Sequence, residues 1–202
     1  MSFDMMTDSE AFHFESRPRR EPLIPSAIMG MLVFVISEAM FFAALISAFL
    51  VIKAGSPNWA PPAGITLPIA ATAFNTAILF TSGIFLHVAG RVLSQDEDWP
   101  RAKTLTGWAA FFGAFFVGFQ GIEWVRLVYY GLTMTSGVFG ACFYLIIGCH
   151  ALHAVAAIIA MVGQFRRFEP ERLTPVSFYS MSIFWFFVVG VWPVLYILVY
   201  LS

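Results

Sequence analysis

Three side chains in the sequence have the types and spacing for chemistry. His150 and His153 stand in Gly148-Cys149-His150-Ala151-Leu152-His153, inside an uncharged run from 138 to 163. Imidazoles at i and i+3 share one helix face. Glu38 stands in Val35-Ile36-Ser37-Glu38-Ala39-Met40-Phe41-Phe42, also far from any other charge. Ionisable groups inside an apolar span normally face a protein neighbour or water, so each marks a site candidate. One use of the trio is metal binding, since Glu38, His150 and His153 could supply three ligands. A metal site wants three or four converging ligands with a second shell, and no fourth candidate is in reach. Haem ligation in a bundle usually takes histidines from two helices at matching depth. His87 lies near the opposite end of its span and His13 is in a polar tail. The favoured reading is hydrogen bonding between helices, with no haem or metal held by this chain. Glu38 is expected to be buried, protonated at neutral pH and bonded across the bundle, with the histidine face as the first place to look, because a carboxyl there must neutralise or find a donor. Ser37 points away from it. Glu123 and Arg126, three apart, read as an ion pair at the outer rim. The sequence has no nucleophile–base pair, phosphate-binding loop or CxxC.

These groups need long apolar elements to carry them. Of the 202 residues, 59% are hydrophobic and 11% charged, against about a quarter charged in soluble domains. The composition is that of an integral membrane protein and excludes a nucleic-acid partner, the net charge being −1. Five spans are predicted, at about 27–52, 66–90, 105–130, 138–163 and 176–201, each long enough to cross a bilayer with some tilt. The expected fold is an all-α bundle of five transmembrane helices: a polar tail (1–26) followed by one membrane domain (27–202). Gly55-Ser56-Pro57-Asn58 with Pro61-Pro62, Ser94 to Pro100, Gly131 to Gly137, and Gln164 to Pro175 form the connections. Arg17, Arg19, Arg20, Arg91, Arg101, Lys103, Arg166, Arg167 and Arg172 fall on one side, and only Lys53 and Arg126 on the other. The positive-inside rule then makes the N-terminus cytoplasmic and the C-terminus periplasmic. Counted at 1.5 Å per residue, Glu38 and His150 both come near the midplane. Asn75, Thr76 and Ser82 on the second span, with Gln120 on the third, read as polar packing between helices. Cys142 and Cys149, seven apart on one helix, cannot reach each other and read as small packing residues.

In order along the chain, these segments resemble the subunit III family of haem-copper terminal oxidases. Ser37-Glu38 with Met40-Phe41-Phe42 is similar to the family's carbodiimide-reactive glutamate motif. Asn75-Thr76 through Ser82-Gly83 resembles its next helix, and Gln120, Glu123, Trp124 and Gly131 the helix after that. Ser136-Gly137-Val138-Phe139-Gly140 resembles the turn that follows, and Gly148 to His153 the Gly-x-His-Gly-Leu-His signature. Phe184-Trp185, Val191-Trp192 and Leu195-Tyr196 to Tyr200 resemble the last helix. Five spans match the short bacterial form. The last helix departs from the pattern: Phe186 and Val189 stand where the family usually has His and Asp, and Pro193 where a large apolar residue is usual. Ala151 replaces a glycine.

The resemblance implies a non-catalytic subunit of a respiratory oxidase in the bacterial plasma membrane. That oxidase reduces oxygen to water and pumps protons, drawing electrons from cytochrome c or quinol. Haems and copper would sit in partner subunits I and II. This subunit would pack on subunit I, bind structural phospholipid between its helices and sustain proton uptake. Two other readings remain open. One is the accessory protein of nitric-oxide reductase, a relative with the same signatures. The other is an independent proton-coupled transporter using Glu38 and the histidines, which would need a substrate cavity and usually an internal repeat.

Overall fold

A computed structural model describes residues 25–57, 59–61, 64–169 and 171–201. The tail up to residue 24, with His13, Arg17, Arg19 and Arg20, lies outside the described residues, as do Asn58 and Pro62 of the first connection. Among the described residues all regular structure is helical: α1 (Ser26–Gly55), α2 (Ile69–Gln95), α3 (Trp99–Tyr129), α4 (Val138–Arg166) and α5 (Pro175–Tyr196), which runs on into a π-helical turn (Ile197–Leu201). All five are long and apolar enough to cross a membrane.

The ends follow from capping chemistry. α3 begins six residues before the predicted span. Pro100 sits in its first turn, where no backbone N–H is needed, and the Asp98 carboxylate accepts from Arg101 N at 3.0 Å. α5 opens the same way, with Thr174 Oγ1 accepting from Ser177 N at 3.2 Å and Pro175 as its first residue. α3 closes on Gly131, whose φ of 98° suits glycine. Gly131 N donates to Val128 O and Leu132 N to Leu127 O, the paired bonds of a Schellman stop. The next helix starts almost at once. Thr133 and Ser136 bond each other across the turn, Ser136 Oγ donating to Thr133 O at 2.7 Å. A side chain at Gly140 would collide with the Thr133 carbonyl, so only glycine lets α4 start this close. Pro193 does not stop α5. The helix continues through it and widens into the π turn four residues later, where Ile197 N reaches both Pro193 O and Val194 O.

Packing is uneven. α2 and α3 form the tightest pair, joined through small residues: Ser82 Oγ donates to Ala109 O at 2.7 Å, and Ala102, Ala109 and Ala110 are all buried. α5 is the hub, packing against α1, α2 and α4. Its Trp185 indole lies against Gly113 of α3, where a Cβ would come within 2.8 Å of the ring. α1 is peripheral. It leans mainly on α5 and more lightly on α4, and of its thirty residues only Phe42 and Phe49 are buried. Met31, Val35, Leu45 and Ile46 are partly buried against the core, and Leu32, Val33, Ile36, Met40, Leu50 and Val51 are exposed.

Candidate functional site

α1 and α4 cross so that Glu38 meets the histidine face. The partner is His153: its Nε2 lies 2.8 Å from Glu38 Oε2. His153 Nδ1 is 2.7 Å from the Cys149 carbonyl, one turn back on α4. A carbonyl oxygen only accepts, so Nδ1 carries a hydrogen. The contact between Nε2 and Glu38 then holds a single proton. It is either on the carboxyl, donated to a neutral ring, or on the ring, donated to a carboxylate. Both forms have zero net charge, which is what an apolar span tolerates. Ser37 takes no part, its hydroxyl donating to Val33 O at 3.0 Å. The pair is not sealed. The Glu38 side chain is 20% exposed and that of His153 15%. Phe41 stacks on the His153 ring at 6.3 Å, and Phe42 meets it edge-on at 5.2 Å.

His150, one turn away on the same face, does not share the contact. It is 1% exposed, its ring lies 5.2 Å from Trp192 and 6.2 Å from Phe42, and neither ring nitrogen has a hydrogen-bond partner among the described residues. The reason is local. Phe42 follows Glu38 by one helical turn, so the α1 face that offers a carboxyl to His153 offers a phenyl ring to His150.

The other polar residues singled out from the sequence gather elsewhere, between α2, α3 and α5. Asn75 Nδ2 donates to Phe116 O at 3.0 Å and to Gln120 Oε1 at 3.3 Å. Gln120 Nε2 donates to Tyr200 Oη at 2.9 Å, and Trp192 Nε1 donates to Thr76 Oγ1 at 2.8 Å. The Trp124 indole and Thr72 hydroxyl also approach Tyr200 Oη, without the geometry of a hydrogen bond. Sequence reasoning missed Tyr200 and Trp192 as members. The available signal was that both carry a polar tip that needs a partner when buried. Glu123 accepts from Arg126 Nη1 at 2.6 Å in the last turns of α3. His87 is exposed on α2, its ring 6.4 Å from Phe186, and Val189 packs on Gly83. Phe186 and Val189, which stand where the family usually has His and Asp, therefore both lie against α2. Among the described residues no three His, Cys, Asp or Glu side chains converge as for a metal ion. Cys142 and Cys149 are free thiols.

The profile of the family described as cytochrome c oxidase subunit III matches residues 22–202. The chain belongs to the cytochrome c oxidase subunit III family. A cytochrome c oxidase subunit 3 of Thermostichus vulcanus is 30% identical over 181 residues, covering 86% of this chain and 86% of the relative. A probable cytochrome c oxidase subunit 3 of Nocardia farcinica is 33% identical over 181 residues, covering 85% and 86%. The Neurospora crassa cytochrome c oxidase subunit 3 is 33% identical over 185 residues, covering 85% of this chain but 66% of the longer fungal protein. Membership of this family and five apolar spans make the chain a multi-pass membrane subunit of a respiratory oxidase, consistent with the bacterial plasma membrane. Other oxidase subunits are its partners by family, and the family does not carry the redox centres.

Proposed function

We propose that this subunit is the non-catalytic subunit III of a proton-pumping oxidase fed by cytochrome c or quinol. In this reading it packs on subunit I, whose haems and copper, with those of subunit II, do the chemistry, and it sustains proton uptake. The observation that carries the proposal is the one-proton contact between Glu38 and His153. The pair's one proton can shift between carboxyl and ring with no change of net charge, and at an incompletely covered edge the single charge left by losing or gaining a proton can be met by a neighbouring partner group or water. A cytoplasmic N-terminus, from the basic loops, is part of the same reading. The outward apolar face of α1, including Val33, Ile36 and Met40, supports docking on a larger partner. Phospholipid binding is supported by a groove of about 240 Å³ between α2 and α5, with Arg91 and Ser94 at one end and His87, Phe178 and Phe186 along it. A cation beside an apolar trough suits a lipid phosphate and its acyl chain.

The test is purification of the native complex with Glu38 or Glu38→Ala. The expected result is an unchanged haem spectrum with weaker subunit cohesion, faster inactivation during turnover or less sustained proton pumping in the variant. A carbodiimide reagent should label the parent and not the variant. Recovery of the subunit without co-purifying oxidase subunits or retained phospholipid, or identical turnover, cohesion and pumping in both forms, would overturn the proposal.

A further inference from the structure

The groove between α2 and α5 continues past His87. His87 and Phe186 also line a second trough of about 360 Å³, walled by Phe80, Gly83, Ile84 and Val189, so the two form one furrow on the outer face of the bundle. His87 is exposed in it and makes no hydrogen bond among the described residues, and the Arg91 guanidinium, one turn on, makes no ion pair among them. Polar side chains on an apolar span normally face the bundle interior or water. We propose that the furrow is a dedicated site for one phospholipid of a single leaflet, with its phosphate on Arg91, an ester carbonyl at His87 and one acyl chain laid along Phe186, Val189 and Phe80.

Three observations select this occupant. The first is length. From Arg91 to Phe80 the furrow runs about 16 Å along α2, and one leaflet of hydrocarbon is about 15 Å deep. A partner's transmembrane helix would need a seat about twice as long. The second is the order of polarity. The cation comes in the last turns of α2, at the level of the lipid phosphates, and a guanidinium is suited to phosphate. The imidazole, which can donate to a carbonyl, is one turn deeper. Below it the wall is apolar. The third is the pair of departures on α5. Phe186 and Val189 stand where the family usually has His and Asp. Either polar residue would set an unpaired group against the acyl chain, whereas phenyl and isopropyl groups line it. This site presupposes the phospholipid binding proposed above and adds the leaflet, the headgroup contacts and the path of the chain.

Photolabelling of the intact oxidase complex tests it. The complex is placed in phosphatidylcholine nanodiscs with a trace of phosphatidylglycerol that carries a photoactivatable group on its acyl chain. After illumination, label should concentrate on the peptides that hold Phe80 to Arg91 and Phe186 to Val189. Arg91→Gln should lower that label about fivefold, the worth of one cation near the membrane surface, and His87→Leu should lower it as well. Arg91 and His87 are both exposed, so neither change removes a packed side chain. Lys103→Gln removes a cation at the same end of the bundle, one that lies over the Phe165 ring, and should leave the label unchanged. Equal label on every lipid-facing helix, or an equal loss in Lys103→Gln, would mean non-specific boundary lipid only and overturns the proposal. Phospholipid that stays with the complex but maps to another face overturns the site and leaves phospholipid binding standing. A complex that retains none overturns both.

Discussion

Two regions of this subunit spend polar side chains in opposite ways. Between α2, α3 and α5, Asn75, Gln120, Tyr200, Thr76 and Trp192 are buried, and each is tied to a residue on another helix. Between α1 and α4, Glu38 and His153 make one contact at a partly open edge, on the helix that buries least of itself. The first arrangement fixes where helices sit. The second is a single contact at a less covered edge, where, under the proposed function, it keeps a proton within reach. A buried polar group is thus weak evidence of function by itself; how many partners hold it, and how well they cover it, separates the two uses.

Substitutions can break or sharpen this contrast. Gln120→Leu should have the largest effect, because it takes one partner each from Asn75 and Tyr200 at once, Asn75 keeping the Phe116 carbonyl. Loss of about 2–4 kcal/mol is expected, read as a lower denaturant midpoint for the purified complex. A loss no greater than that of Glu38→Ala would erase the contrast. Trp192→Phe removes only the bond to Thr76 and keeps most of the ring, so about 1 kcal/mol is expected in the same assay. Glu38→Gln is the sharpest of the four. The amide can still donate to His153 Nε2, so stability should fall by less than about 1 kcal/mol, while carbodiimide labelling disappears. A much larger loss would show that the parent contact is an ion pair whose charge the amide cannot replace. Arg172→Ala sets the floor. Its contact with Glu169 is 3.5 Å long between exposed side chains, so a change of about 0–0.5 kcal/mol is expected in the same denaturant assay.

Much of the architecture was legible in the sequence. Five apolar runs of bilayer length gave five helices, because hydropathy and length suffice when every backbone group must be bonded within its own span. The start of α3 was not. Ser94 to Pro100 reads as a polar loop with a proline, yet Pro100 and Asp98 are what a helix beginning needs. Asn75 and Gln120 could be picked out by type, but their link to Tyr200 joins positions 80 apart and depends on how α3 and α5 cross. Counting residues into each span put Glu38 level with His150, whereas the fold gives it to His153. Depth along an axis was a sound guide to within one turn. What it lacked was the axial register of α1 on α4, which sets Phe42, one turn on from the carboxyl, against His150.

The Gly131 stop and the turn that follows it also bear on how the protein reaches the membrane. The segment between Tyr129 and Val138 is folded on itself by Gly131, Thr133 and Ser136, and Tyr144 Oη ties α4 back to it by donating to Leu132 O at 2.9 Å. A connection this short makes α3 and α4 antiparallel neighbours, so the orientation in which one crosses the bilayer fixes that of the other.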